Sequence, residues 1–195
     1  AGANYDSNGA MRTTNIVKGG GVNFDFPNDA NQAFDYTLGT ARAKVTGPYI
    51  TQSSYSGCVT RRFVFGETND TIASVGSLKF KPSNAEVFQV RFKLENLKLR
   101  SDIDSVDANA RKRAVALQYF KNTATSATRN SNTYGGTIVS DQYMTVTLDL
   151  DSGFRNADVI TKILVEFHGF VKSNDSKDAY ITLDYVYVGP RATMP

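Results

Sequence analysis

The sequence predicts an all-β protein, a two-sheet antiparallel β-sandwich of the jelly-roll kind, and three observations carry that prediction. About ten short segments rich in Val, Ile, Phe, Tyr and Thr alternate apolar with polar residues. Gly, Pro, Asn and Ser punctuate the boundaries between them. No window sustains the apolar spacing of a long amphipathic helix. Short strands of this kind each have one face to bury, and packing two antiparallel sheets face to face buries them.

The elements follow in chain order. Residues 1–21, rich in Gly, Asn, Ser and Thr and ending in Gly19-Gly20-Gly21, read as an extended lead-in, and the sandwich is expected over 22–190. In VNFDF, 22–26, Val22, Phe24 and Phe26 share one face and Asn23 and Asp25 the other, until Pro27-Asn28-Asp29 ends the strand. Further strands are predicted at 41–47, 49–54, 59–66 and 77–80. In VFQVRFKL, 87–94, Phe88, Val90, Phe92 and Leu94 form an apolar stripe opposite Gln89, Arg91 and Lys93. Residues 113–121 are apolar on both sides, 143–150 alternate strictly, and 162–170 set Ile163, Val165 and Phe167 against Glu166 and His168. Helical turns are expected near 102–113 and 156–160, and Lys121 to Gly136 reads as a long surface loop with Tyr134 near its end. The last strand runs through AYITLDYVYV, and after Gly189-Pro190 residues 191–195 read as the start of a linker.

At 195 residues the chain can bury one sizeable core without disulfides. Cys58 is alone and reads as a small buried apolar residue. The net charge of +3 is mild, and the basic residues are scattered apart from Arg61-Arg62 and Arg111-Lys112-Arg113. That is far from the concentrated footprint of a nucleic-acid binder. No apolar run approaches the roughly 18 residues of a membrane helix, so no membrane insertion is expected. The start at Ala1, without Met, fits a processed or excised segment of a longer protein.

Chemistry-bearing residues are few. One histidine and one cysteine leave no zinc-ligand spacing. No serine motif accompanies His168 to suggest a nucleophilic triad. Asp149 with Asp151, and the Asp102, Asp104, Asp107 group, read as polar surface rather than as glycosidase carboxylates. Gly169, beside His168, would let a ligand or another backbone come close. Along the last strand, alternation places Asp184 with Val186 and Val188, and Leu183, Tyr185 and Tyr187 on the other face. A carboxylate on a strand that is apolar on both faces needs a cation or several donors. Calcium is the simplest such partner, with backbone carbonyls completing its shell of oxygens. Ten Tyr and twelve Phe, with no Trp, leave tyrosine as the aromatic suited to packing against sugars.

The segment ILVEFHGFVKSNDSKDAYITLDYVYV, Ile163 to Val188, resembles the last two strands of β-jelly-roll carbohydrate-binding modules of the galactose-binding-like type. VNFDF and its following turn are similar to their opening strand. From Val87 to Pro195 the chain also resembles modules of large surface proteins of Gram-positive anaerobes, which pair VQVRFKL-like, YMTVTL-like and terminal DYIYIGP-like strands. The resemblance implies that Asp184 is the calcium-binding aspartate of the last strand, that Asp25 lies near the acidic opening segment, and that His168 occupies a polar, ligand-facing position. The family's Ile-Asp-Asp-Val strand has Tyr185 at its second aspartate here, and the usual cleft Trp has no counterpart. YFKN, 119–122, is superficially similar to a strand of alginate-type jelly-roll lyases, but their Gln-Ile-His element is missing.

Together these readings predict a noncatalytic polysaccharide-binding module of a larger extracellular or surface-bound bacterial protein. It would hold a structural calcium at Asp184 and Asp25 and be tethered to further domains. The glycan is expected across a sheet face bearing Gln89, Arg91, Glu166 and His168, with Tyr119 or Tyr134 as a stacking surface. That face forms if strands 87–94 and 162–170 belong to one sheet. The alternatives are a structural or adhesion spacer and, less favoured by the motifs, a polysaccharide lyase.

Overall fold

The structure, a computed structural model, describes residues 16–17, 21–25, 42–45, 59–66, 85–106, 109–121, 124–158 and 160–194, with side chains before residue 85 described at Val45 and Phe63. Two antiparallel sheets pack as a sandwich. The first contains β1 (Ile16–Val17), β2 (Gly21–Asp25), β3 (Arg42–Val45), β5 (Val87–Glu95), β9 (Tyr143–Asp149) and β11 (Ala179–Gly189). Its order is β1-β2-β11-β5-β9, with β3 also pairing with β11. The second contains β4 (Val59–Gly66), β6 (Leu97–Leu99), β7 (Val115–Lys121), β8 (Thr128–Arg129) and β10 (Ile160–Lys172), in the order β4-β10-β7-β8 with β6 beside β10. The predicted strands at 49–54 and 77–80, and Cys58, lie outside the described residues. Strands β6 and β8, at three and two residues, are too short to carry an alternation signal.

Both sheets send their apolar stripes into one core. From β5 come Phe88, Val90, Phe92 and Leu94, and from the other sheet Phe63, Leu117, Tyr119, Ile163, Val165 and Phe167, all buried. Phe167 stands edge-on to Phe92 across the sandwich, with ring centroids 5.0 Å apart at 70°, and edge-on to Phe63 within its own sheet at 5.9 Å and 86°. Burying one such side chain contributes about 1.5–3 kcal/mol, and each aromatic pair adds about 0.5–1.5 kcal/mol.

Three register shifts reset the alternation among the described strands, the first of them early in β10 between Ile160 and Lys162. In β10 the register shifts between Phe167 and Phe170, at Gly169, whose φ of +79° suits a residue without a side chain. The neighbour that approaches is Ile103: a Cβ on Gly169 would lie 2.6 Å from its Cδ1. In β11 the pairing with β5 shifts between Leu183 and Tyr185, so Asp184 is the extra residue. It also sits where the strand on the other side changes from β3, which ends opposite Thr182, to β2, which begins opposite Tyr185. Leu183 therefore joins Val186 and Val188 in the core, and Asp184 is turned to the outer face. The predicted shared face of Asp184, Val186 and Val188 is thus corrected: strict alternation fails across a bulge.

Short helical pieces brace the loops. The expected turn region holds α1 (Ile103–Val106) and a 3₁₀ turn at Arg111–Arg113. The other predicted turn falls earlier, as α2 (Ser152–Arg155), because Asp151 caps it by accepting from the Phe154 amide at 2.8 Å. Beyond β11, Arg191–Thr193 forms a 3₁₀ turn, held by the Arg191 amide on Glu86 at 3.0 Å and its guanidinium on Asp149 at 2.5 Å.

Phe167→Ala is expected to cost about 3–5 kcal/mol in urea unfolding, because it opens a cavity where both sheets meet. Gly169→Ala is expected to destabilise through both its backbone and Ile103, and trimming the partner in Gly169→Ala/Ile103→Ala should recover only the steric part.

Candidate functional site

The structure separates the residues expected to share a sheet face. Gln89 and Arg91 lie on β5 of the first sheet, Glu166 and His168 on β10 of the second. Because both strands turn their apolar stripes into the same core, their polar stripes leave the sandwich on opposite sides. The four-residue surface is therefore not assembled.

On the first sheet's outer face, Gln89 donates to the Thr147 hydroxyl at 2.9 Å. Arg91 Nη1 donates to Asp184 Oδ2 at 2.6 Å, and its guanidinium lies 4.3 Å from the centre of the Tyr143 ring. Burial and the Asp184 charge together push the Tyr143 phenol up. Arg91 is thus a positively charged partner of Asp184. Among the described residues, no three His, Cys, Asp or Glu side chains gather as metal ligands. The side chain of Asp25 lies outside the described residues; its backbone pairs with Tyr185.

Tyr119 is also corrected. It belongs to the apolar stripe of β7 and is fully buried, edge-on to Phe154 at 4.9 Å, so it offers no stacking face. Its hydroxyl donates to Asp151 Oδ1 at 3.0 Å, and burial, reinforced by that carboxylate, pushes its pKa far up.

The second sheet brings two of the expected residues together. Glu166 is buried, with His168 Nε2 3.3 Å from one carboxylate oxygen and Arg129 Nη2 3.6 Å from the other. Arg129, at the end of β8, leads to a pair of clefts. One, of ≈ 330 Å³, is bounded by Lys112, Arg113, Arg129, Asn130, Ser131 and Thr133. The other, of ≈ 420 Å³, is bounded by Arg100, Asp104, Arg111, Gly135, Gly136 and Ile138, among others. Each takes residues from the 3₁₀ turn and from the loop 129–138, Arg111 lining the larger cleft and Lys112 and Arg113 the smaller, and the larger is also walled by Leu99, Arg100, Ser101 and Asp104. Tyr134 lies between the two lining stretches of that loop, half-buried, with its hydroxyl on the Thr137 carbonyl at 2.6 Å. Its ring folds over Gly136, where a Cβ would lie 2.5 Å from the hydroxyl.

Two polar side chains fix the loop, and neither was singled out from the sequence as part of a site. Buried Asn130 donates to the carbonyls of Asn132 and Asp149 and accepts from the Asp151 amide. Asp151 accepts from Tyr119, from the α2 amide of Phe154 and, through Oδ2, from the Ser131 amide at 2.9 Å. An acid just before a short helix is a readable cap signal, but its reach to the loop is not. The larger cleft is charge-balanced: Asp104 binds Arg111 bidentately at 2.9 and 3.1 Å, and Arg100 pairs with Asp102.

Two predictions follow from this geometry. If Arg91 alone answers the Asp184 charge, EDTA will leave the melting temperature unchanged, while Asp184→Ala costs about 1–2 kcal/mol; a fall of several degrees on chelation would support the calcium expectation. Arg111 holds the Asp104 carboxyl below the usual carboxylate range. Its ion pair is therefore fully present above that range and lost only as pH falls through the lowered value. In a carboxyl-carbon NMR titration, Asp104 should have a depressed midpoint that Arg111→Ala returns to normal.

Compared with known proteins, the chain matches no protein-family model and no curated protein.

Proposed function

We propose that this chain is a noncatalytic polysaccharide-binding module of a larger extracellular or surface-bound bacterial protein, and that the glycan lies along the two clefts between the Arg111–Arg113 turn and the loop 129–138. The reading rests on the sequence resemblance and on one observation: two open, polar clefts both draw residues from the Arg111–Arg113 turn and from the loop 129–138. A polymer presents repeating groups, and successive subsites suit it better than an enclosed pocket. The loop is pre-organised by Asn130 and Asp151, which lowers the ordering cost of binding. Glu166 and His168 stand behind Arg129 and hold it in place rather than forming the floor of a sheet-face platform. With Tyr134 folded onto Gly136, polar contacts carry most of the affinity, and the expected dissociation constant is in the range of about 1 μM to 1 mM.

Gly135 supplies a clean test. Gly135 lines the larger cleft and a Cβ there meets nothing within 4 Å, so Gly135→Leu adds apolar bulk at the cleft with its first atom in open space. On a polysaccharide array and by affinity electrophoresis, the wild type should bind at least one polymer, and Gly135→Leu should weaken that binding about tenfold or more at unchanged melting temperature. Gln89→Ala, on the opposite sheet, should leave it unchanged. A wild type that retains no polysaccharide would favour the spacer reading, and unsaturated product released from a polymer would favour the lyase.

A further inference from the structure

We propose that the smaller cleft is the subsite for an acidic substituent, a carboxylate or a sulfate, so that the polysaccharide is an anionic one; this rests on the binding reading above. Lys112, Arg113 and Arg129 line this cleft together with Asn109, Asn130, Ser131 and Thr133, and among the described residues no acidic side chain lines it. In the neighbouring cleft Asp104 is itself part of the lining and pairs with Arg111, whereas the carboxylate that pairs with Arg129, Glu166, is buried on β10 and is not part of the lining. Arg129 is held from behind by the buried Glu166 carboxylate at 3.6 Å, which fixes its guanidinium at the cleft wall. Its buried Nε has no hydrogen-bond partner among the described residues. A planar guanidinium fixed at one edge is suited to forked recognition of a carboxylate or sulfate. Lys112, exposed on the 3₁₀ turn, adds a mobile point charge, and Ser131 and Thr133 add hydroxyls. The charge-balanced cleft would then take the neutral part of the repeat.

The test uses the whole chain against four probes: a polyuronate, a sulfated polysaccharide, an uncharged polysaccharide, and single-stranded DNA of similar charge, with free glucuronate and sulfate as small-anion controls. The expected result is binding of at least one acidic polysaccharide about tenfold more tightly than the neutral polymer, weakening as salt rises from about 50 to 300 mM. Lys112→Glu should lower that affinity about fivefold to tenfold, with the melting temperature and any neutral-polymer binding unchanged. Arg129→Lys, which keeps the charge but loses the fork, should lower it as well. Equal affinity for neutral and acidic polymers, or an unchanged Lys112→Glu, would overturn the acidic subsite while leaving the binding module standing. Binding of free glucuronate or sulfate with no polymer retained would overturn the polysaccharide reading and keep the anion site. Tighter binding of DNA than of any polysaccharide would overturn both.

Discussion

The edge-on contact of Phe92 with Phe167 is the constraint from which the rest of the arrangement follows. It joins the strand that carries Gln89 and Arg91 to the strand that carries Glu166 and His168, but across the core rather than side by side. Once both apolar stripes interlock, alternation sends both polar stripes outward in opposite directions. A single polar platform made from both strands is then geometrically excluded. Among the described residues, concave relief lies where β7 begins and β8 ends, built from a turn and a loop. Binding surfaces carried by loops on a rigid sandwich are a common use of this architecture.

The alternation within strands was legible because it is a local property. The stripes on β5 and β10 match the buried residues, and β4 has the predicted limits, 59–66. Which strands share a sheet was not legible, since alternation identifies a strand's inner face and not its neighbour. The bulges at Gly169 and Asp184 were hidden for a related reason. Gly169 marked one, because a glycine within a strand often signals a bulge or a close approach. Asp184 marked the other as a charge among apolar residues, and strict period-two reasoning placed it on the face of Val186 and Val188 because it admits no phase shift.

The cleft walls were partly legible. The Lys121 to Gly136 stretch was recognised as a surface loop and the RKR cluster as basic, but their juxtaposition depends on long-range hydrogen bonds. Asn130 reaches the carbonyl of Asp149, and Asp151 reaches the amide of Ser131. Through Tyr119 the same aspartate is anchored to the core, so the loop inherits the rigidity of the sandwich. Glu166 does the equivalent for Arg129: buried on its strand, it carries order from the sheet to a side chain at the cleft. Glu166, expected at a ligand-facing position, is thus a buried partner of Arg129, and the cleft-lining residues come from segments with little strand signal.

In the proposed function, ligand binding occurs along the turn-and-loop clefts and not on either sheet face. Amide chemical-shift mapping during titration with a bound polysaccharide tests it most directly. The account predicts perturbations concentrated at Arg111–Arg113 and 129–138, with Gln89, Arg91 and Thr145 on the opposite sheet unmoved. Perturbations centred on Arg91, Tyr143 and Asp184, with the loop silent, would contradict it.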